Sequence, residues 1–263
     1  MSAGSQDVFD SIVQRLRAEF LADAQERLTE IESVIGANYH GDMPADEAML
    51  KIRRHAHNLK GMGASFQFPI ISLIAHRLED YVASLRAIEE RHFTDVGRFV
   101  DTVKGLLESD GEKLQPSESE QNKILRSLPA KWLDEVVGAP INDVEILLVA
   151  QSKVSSRVVE RELVACGYRV VATFSPIEAF ELVVRMKPDM VVTSMVMNDL
   201  SGVDLARAFA AMDATKAIPV GVLTSLAAND ARLQNLPANC VVIRSGANFQ
   251  DDLADAVTKF GVG

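Results

Sequence analysis

A histidine, a lysine and a glycine lie close together in the segment HNLKGMGASF, which begins at His57. On a helix, residues three and four positions apart share a face, so Lys60 and Gly61 would lie one turn after His57. Imidazole is nucleophilic near neutral pH, and a phosphorylated imidazole can pass its phosphoryl group to a carboxylate. A nearby ammonium group can stabilise the phosphoryl oxygens during that transfer, and a glycine leaves room for a partner to approach. The spacing therefore predicts a histidine that accepts a phosphoryl group.

The glycines beside this histidine favour the same interpretation. Gly61 and Gly63 each cost a helix about 1 kcal/mol relative to alanine, so stability alone does not explain the pair. The alternative is that His57 is an ordinary surface histidine. His55 would point about 200° around the helix from His57 and is expected to be packed or solvated. The remaining histidines lack any motif spacing: His40, His76 and His92.

Other side chains near His57 leave two interpretations open. Arginines could steer an acidic partner towards the site or simply form a solvated face. These are Arg53, Arg54 and Arg77. Apolar residues could form a docking surface, although apolar residues at helical spacing more often belong to the core. These are Phe20, Leu21, Met62 and Phe66.

The N-terminal part of the chain has the apolar period of helices. Apolar residues at helical spacing predict helices over residues 8–35, 45–66, 69–85 and 93–107, with Gly36 as the stop of the first and Pro44 just before the second. Four helices joined by short loops favour an all-α antiparallel four-helix bundle over residues 1–109.

The spacing of apolar residues along the chain changes after a polar segment. Residues 110–142 predict a linker with short helices, interrupted at Pro129, in which Trp132 would anchor onto either domain. Beyond it, short apolar runs at 145–150, 169–174, 189–196, 218–225 and 240–245 alternate with helical patterns. This alternation predicts a doubly wound α/β domain over residues 143–263, with a five-stranded parallel sheet.

Composition narrows the functional classes. The formal charge of −10 repels a phosphate backbone, so nucleic-acid binding is not expected. No apolar run reaches the length of a membrane span and the N-terminus lacks a secretion signal, so we expect a soluble, cytoplasmic protein that binds no membrane. Cys166 and Cys240 show no ligand spacing, which argues against zinc or redox chemistry.

The segment RHAHNLKGMGASF resembles the HxLKG signature of histidine phosphotransfer (HPt) proteins and of the N-terminal domain of chemotaxis kinases. The resemblance covers about residues 10 to 108 and implies an antiparallel four-helix bundle. It also implies that His57 is the phosphorylated histidine, that Lys60 supports the phosphate and that Gly61 provides clearance. One departure is Gln67, where many members of the family have glycine.

The C-terminal domain resembles response-regulator receiver domains in the order and length of its elements, but it lacks their chemistry. The family's acidic pair after the first strand is replaced by Ala150 and Gln151, and its phosphoacceptor aspartate by Ser194. Arg244 replaces the lysine after the fifth strand, whereas Thr224 matches the family's hydroxyl position. The resemblance therefore implies a pseudo-receiver that does not react. Such a domain would dock onto the bundle, dimerise or gate access to His57, or it would be retained only for stability.

Mg²⁺ needs carboxylate oxygens, and the pseudo-receiver offers none at these positions. Asp189 and Asp199 do not compensate, since the first precedes its strand and the second lies in the loop after it. We therefore expect no cofactor and no metal site in this chain, with Mg²⁺ supplied by the receiver domain of a partner.

Together these features predict a phosphorelay intermediate of two-component signalling. His57 would accept a phosphoryl group from the receiver of a hybrid sensor histidine kinase and pass it to an aspartate of a downstream response regulator. The chain would be a carrier rather than an enzyme, because it shows no kinase-type histidine box and no nucleotide-binding segment. The alternative is a non-catalytic adaptor or inhibitor that binds such partners through both domains.

Overall fold

The computed structural model describes residues 3–66, 68–85, 88–108, 114–131, 142–227 and 230–262. It divides the chain into two compact units, Met1–Pro129 and Ala130–Gly263. The predicted domain limits at 109 and 143 stay a prediction, because residues 109–113 and 132–141 lie outside the described residues. The predicted anchor Trp132 also lies outside them.

The first unit contains the predicted four-helix bundle. Its helices are α1 (Ala3–Tyr39), α2 (Ala45–Ser65), α3 (Pro69–Ser84) and α4 (Glu90–Leu107). Helices α1 and α3 each pack against both α2 and α4, so the four helices enclose one core. The largest fully buried side chains of this core include Phe20, Leu28, Ile31, Ile52, Leu59, Ile70, Ile74, Tyr81 and Phe99.

Helix α1 is longer than the sequence pattern predicted. It runs without a break through Gly36, the expected stop, and ends only at Tyr39. The chain reverses at Gly41, whose φ of 79° lies in the left-handed region that glycine adopts without strain. The amides of Asp42 and Met43 both donate to the carbonyl of Ala37, which satisfies the helix end. The true helix stop is therefore five residues after the predicted one.

A fifth helix, α5 (Glu118–Ser127), lies in the segment that was expected to be a linker with short helices. It begins where the sequence was interpreted as polar and turn-prone, because Ser117 and Glu120 form a reciprocal capping box. The guanidinium of Arg77 on α3 donates to the carbonyl of Leu125 at 3.3 Å. Helix α5 therefore packs on the helical unit.

The second unit is the predicted doubly wound domain. Its strands are β1 (Glu145–Val149), β2 (Arg169–Thr173), β3 (Met190–Ser194), β4 (Val220–Thr224) and β5 (Cys240–Arg244). They form one parallel sheet in the order β2-β1-β3-β4-β5. The order reverses beside β1, which is the topological switch point of flavodoxin-like folds. The helices are α6 (Lys153–Ala165), α7 (Pro176–Met186), α8 (Gly202–Ala211) and α9 (Phe249–Phe260).

The connection between β4 and β5 differs from the expected βα unit. Its described residues contain a single turn of 3₁₀ helix, Ala231–Leu233, and no α-helix. Asn235 follows with a φ of 58°, a left-handed conformation that ends helices, and Pro237 comes two residues later. In the part of the chain that the structure describes, no helix combines the length and apolarity that crossing a membrane requires.

Candidate functional site

Helix α2 holds His57 on its solvent side. Ile52, Ala56, Leu59 and Gly63 recur at helical spacing and are buried against the rest of the bundle. His57 lies on the opposite face, with 65% of its side chain exposed. The structure thus leaves the imidazole accessible to another protein.

A carboxylate that the sequence interpretation missed joins His57 to Lys60. Glu79 on α3 places Oε1 3.1 Å from Nδ1 of His57 and Oε2 2.9 Å from Nζ of Lys60. Its own side chain is only 18% exposed. Glu79 lies 22 residues after His57 on another helix, outside the motif. Only the packing of α2 against α3 reveals the contact.

The ionisation of Glu79 decides which nitrogen of His57 can react. Burial raises the pKa of Glu79, but the hydrogen bonds and charges of Lys60 and His57 outweigh burial, so this pKa lies below its ordinary value. An ionised carboxylate only accepts hydrogen bonds, so Nδ1 of a neutral His57 must carry the proton. The lone pair is then on Nε2, the nitrogen not engaged by Glu79.

Lys60 occupies the predicted place one turn after His57. Its ammonium is held by Glu79, and its backbone carbonyl accepts a hydrogen bond from Ser72 Oγ at 3.0 Å. Ser72 lies on α3, so this bond ties the two helices together at the level of the site. The cation is therefore fixed near His57 by contacts that the fold itself provides.

The surroundings of Gly61 and Gly63 differ, so the presence of glycine at each position has a different explanation. A Cβ added at Gly61 would meet no atom within 4 Å, so nothing in the described part of the chain requires glycine there. A Cβ at Gly63 would lie 2.8 Å from the backbone nitrogen of Ser72, which is too close. Gly63 is thus explained by close helix packing, contrary to the expectation that both glycines serve function. The open surface at Gly61 is consistent with clearance for a partner.

The other histidines of the bundle have structural surroundings. Nδ1 of His55 lies 3.0 Å from Glu30, and burial, followed by the arginines nearby, lowers the pKa of His55 against the opposing charge of Glu30. His92 accepts the backbone N–H of Glu89 and so caps α4. His76 is buried in α3.

One arginine and one aromatic residue named as surface candidates prove to be interior. Arg77 is buried and bonded to α5, so the hypothesis that it steers a partner is wrong. Phe20 is buried and stacks on Phe68 with ring centroids 4.5 Å apart, so it belongs to the core. Leu21, Met62 and Phe66 are half-buried. Arg54 is exposed and Arg53 is half-buried.

The carboxyl ends of the parallel strands are where a doubly wound fold places its ligands. Buried Ala150 and exposed Gln151 follow β1, and Ser194 ends β3. Thr224 ends β4, and its hydroxyl accepts the backbone N–H of Leu226 at 3.1 Å. Arg244 ends β5, where its guanidinium is paired with Asp252.

These strand ends do not fit Mg²⁺. The residues at the carboxyl ends of β1 and β3 are Ala150, Gln151 and Ser194, none of which carries the carboxylate oxygen that this ion prefers. Among the described residues, no group of three or more histidine, cysteine, aspartate or glutamate residues could hold a metal ion. Asp189 accepts the backbone N–H of Glu145 at the amino ends of the strands, the opposite edge. Asp199 is exposed in the loop after β3.

A comparison with known families found a match to the helical unit. The family model described as the Hpt domain matches residues 15–110, which include α2 and Glu79. This class of domain is a phosphotransfer carrier of two-component signalling and not a kinase. The comparison with curated proteins gave no match.

Several solved structures of receiver domains and response regulators resemble part of this chain. The receiver domain of a sensor histidine kinase from Pseudomonas aeruginosa is 23% identical, with 45% of this chain and 98% of that chain covered and a TM-score of 0.40. The response regulator PhyR from Brucella abortus is 16% identical, with 80% and 88% covered and a TM-score of 0.37. These similarities are low, so the fold assignment relies on the observed strand order.

Proposed function

We propose that this chain is a phosphorelay intermediate in which His57 accepts a phosphoryl group from the receiver of a hybrid sensor kinase and passes it to a response regulator. The observation that carries the proposal is the exposed imidazole whose Nδ1 is engaged by Glu79 beside Lys60. A surface histidine without a role needs neither partner. The Hpt match over residues 15–110 supports the same class of function.

The proposed transfer follows from the tautomer that Glu79 selects. Nε2 of His57 attacks the phosphorus of an aspartyl phosphate, the N–P bond forms, and the P–O bond to the aspartate breaks. The aspartate leaves as a carboxylate, while Nδ1 keeps its proton and its hydrogen bond to Glu79. Transfer to the regulator runs through the same steps in reverse. Lys60 is near enough to stabilise the phosphoryl oxygens.

The sheet domain has a supporting role in this proposal. Its strand ends lack carboxylates, so Mg²⁺ would come from the receiver of the partner, and the chain itself would need no cofactor. The domain would act by shape, in docking or in gating access to His57. The order of the two domains resembles that of the stalk-biogenesis phosphotransfer protein ShpA. A role in phosphorelay signalling would place this chain in the cytoplasm.

The alternative proposal is an adaptor or inhibitor that binds the same partners without reacting. An adaptor does not need the carboxylate, the ammonium and the imidazole to meet at one point, whereas a relay does. The open surface at Gly61 would serve either function, because both require a partner to approach.

Phosphoryl transfer separates the two proposals. The receivers of hybrid kinases from the source organism are phosphorylated with radiolabelled acetyl phosphate and mixed with the wild-type chain, His57→Ala and Ser194→Ala. The relay predicts acid-labile, base-stable label on the wild type and on Ser194→Ala, and none on His57→Ala. If no receiver labels the wild type, or if His57→Ala is labelled equally well, the adaptor proposal replaces the relay.

A further inference from the structure

Helix α1 extends beyond the core of the bundle at its amino end. It has 37 residues, whereas α2, α3 and α4 have 21, 16 and 18. Its first buried side chain among those described is Phe20, and none of the side chains described between residues 11 and 19 is buried. Residues 3–19 therefore form a helical segment about 25 Å long whose described side chains lie outside the core. We call this segment the α1 arm.

The α1 arm carries an apolar stripe that its own bundle does not cover. Ile12 is 43% exposed, and Leu16, one turn later, is 39% exposed. In the sequence, apolar residues at intervals of four, three and four follow the spacing of a coiled-coil seam: Phe9, Val13, Leu16 and Phe20. An isolated helix of this length is marginally stable in water, because most helical stability in proteins comes from packing an apolar face. The stripe therefore requires a second surface.

The charges beside the stripe are complementary to a reversed copy of the arm. Asp10 and Arg17 are seven residues apart, so both lie on one flank of the stripe. On the other flank, Glu19 and Arg15 form an ion pair within the chain at 3.8 Å. An antiparallel two-fold contact sets the same flank of both copies together, so that Asp10 of each copy comes beside Arg17 of the other. A parallel contact sets opposite flanks together and forms no such pair.

We infer that the α1 arm is a dimerisation surface and that its occupant is the arm of a second copy of this chain, packed antiparallel against it. Ile12 and Leu16 form the apolar centre of this contact. Residues 3–14 lie before the part of the chain that the Hpt model matches, so the phosphotransfer fold does not account for the arm. His57 lies on α2, outside the arm, so each copy keeps its own transfer site. Dimerisation of this kind is independent of the proposed function of His57.

The net charge of the protein favours the same antiparallel arrangement. A charge of −10 on each copy opposes association over long distances. An antiparallel contact places the two bundles at opposite ends of the paired arms, about 25 Å apart. That separation exceeds the screening length of about 8 Å at physiological salt, so the repulsion between the bundles is largely screened. A parallel contact would place the two acidic bundles side by side.

A lipid surface is the competing occupant of the arm. A helix that lies on a membrane carries a polar face rich in lysine and arginine. The two arginines of the arm are offset by three acidic residues, Asp7, Asp10 and Glu19, so the charges favour the second copy. The arm is shorter than the roughly 20–30 residues that each side contributes to a stable interface. The dimer is therefore weak and reversible, with a dissociation constant in the micromolar range.

The test is sedimentation velocity of the full chain over a wide range of protein concentrations. The apolar variant replaces Ile12 and Leu16 together with serine. Its matched control replaces Val154 and Val158 with serine, two exposed apolar residues that have the same spacing on α6.

The charge variant is Asp10→Arg, which lies beside the stripe. Its matched control is Asp7→Arg, which changes the net charge by the same amount. Asp7 is nine residues before Leu16, or two and a half turns, so it lies on the opposite side of the helix from the stripe.

We expect the double serine variant of Ile12 and Leu16 to raise the dissociation constant of the dimer at least tenfold, because each dimer loses four apolar side chains from the contact. Asp10→Arg should raise it about fivefold, since two opposite-charge pairs become like-charge pairs. Both controls should stay within about twofold of the wild type. Amide exchange of the arm should slow as the wild-type concentration rises, and should not do so in the double serine variant.

Four results would overturn this account of the arm. The first is a wild type that sediments as a monomer at every concentration, and the second is a monomer that binds anionic lipid vesicles through the arm. The third is a dimer that the serine variant of Ile12 and Leu16 leaves intact or that the control on α6 dissociates. The fourth is a dimer that Asp10→Arg weakens no more than Asp7→Arg, which refutes the antiparallel contact. None of these results depends on whether His57 accepts a phosphoryl group.

Discussion

Replacing Glu79 with glutamine should slow phosphoryl transfer while the bundle stays folded. The carboxylate offers one oxygen to His57 and the other to Lys60. Glutamine has a single oxygen, which must turn to Lys60 because an ammonium group only donates. The amide NH₂ then faces Nδ1 of His57 and forces it to accept a hydrogen bond. The proton moves to Nε2, which loses the lone pair that attacks phosphorus.

The size of the effect follows from the exposure of the site. A hydrogen bond to a charged group contributes about 1.5–3 kcal/mol when water is excluded. His57 is 65% exposed, so water competes and about 1 kcal/mol remains. This corresponds to roughly fivefold in rate. The assay is single-turnover labelling by a phosphorylated receiver, and the matched control is Glu32→Gln, which breaks the surface pair with Lys104.

The same variant makes a prediction about pH. The pKa of Glu79 is lowered in the folded chain, so its ionised form stabilises the fold above the ordinary glutamate pKa of about 4.3. The deficit in the free energy of unfolding of Glu79→Gln should be full above that pH and vanish as the pH falls through the lower pKa of the folded state.

The prediction of slower transfer has its own refutation. Equal labelling rates for Glu79→Gln and wild type, with nitrogen NMR showing that Nδ1 is still protonated in the variant, would refute the reasoning about the tautomer.

Three further outcomes are expected. Gly63→Ala should lower the free energy of unfolding by about 2 kcal/mol, because the added Cβ would lie 2.8 Å from the backbone of α3. Gly61→Ala, whose Cβ would lie in open space, should raise the free energy of unfolding by about 0.5–1 kcal/mol. Urea titrations measure both changes. Tyr81→Phe should cost about 1–2 kcal/mol, since it removes the 2.7 Å hydrogen bond to buried Asp95, and an unchanged urea midpoint would contradict this. Calorimetric titration with Mg²⁺ should show no specific binding to the wild type, and Ser194→Asp alone should not create it, because Ala150 and Gln151 still provide no carboxylate after β1.

The bundle could be predicted from the sequence because its helices bury one face each. The apolar period of 3.6 residues located all four helices, and Pro44 and Pro69 marked where α2 and α3 begin. The end of α1 was missed because a glycine within a helix costs only about 1 kcal/mol, which packing overcomes. The left-handed Gly41, five residues later, is the actual stop.

The site could be predicted only in part, because its residues come from two helices. The spacing of His57, Lys60 and Gly61 was visible along one helix, whereas Glu79 meets them through the packing of α2 on α3. The requirement for glycine at position 63 could not be predicted from the sequence either, because it depends on how closely the backbone of α3 approaches α2.

The sheet domain could also be predicted from the sequence only in part. Strands of a parallel sheet that is covered by helices are mostly apolar runs, so all five were visible in the sequence. The ends of these runs also identified the positions at which the acidic residues are missing. The connection between β4 and β5 was misjudged. Its short apolar pattern does not distinguish a helix from a single 3₁₀ turn followed by a left-handed residue.

The most direct test of the central claim is a chase experiment. The chain is labelled by a phosphorylated kinase receiver, purified, and mixed with response regulators from the same organism, alongside a His57→Gln variant treated identically. The relay predicts that label leaves Nε2 of His57 as it appears on an aspartate of one regulator, and that His57→Gln never carries it. Label that stays on the chain with every regulator, or that reaches a regulator equally well through His57→Gln, would contradict the account.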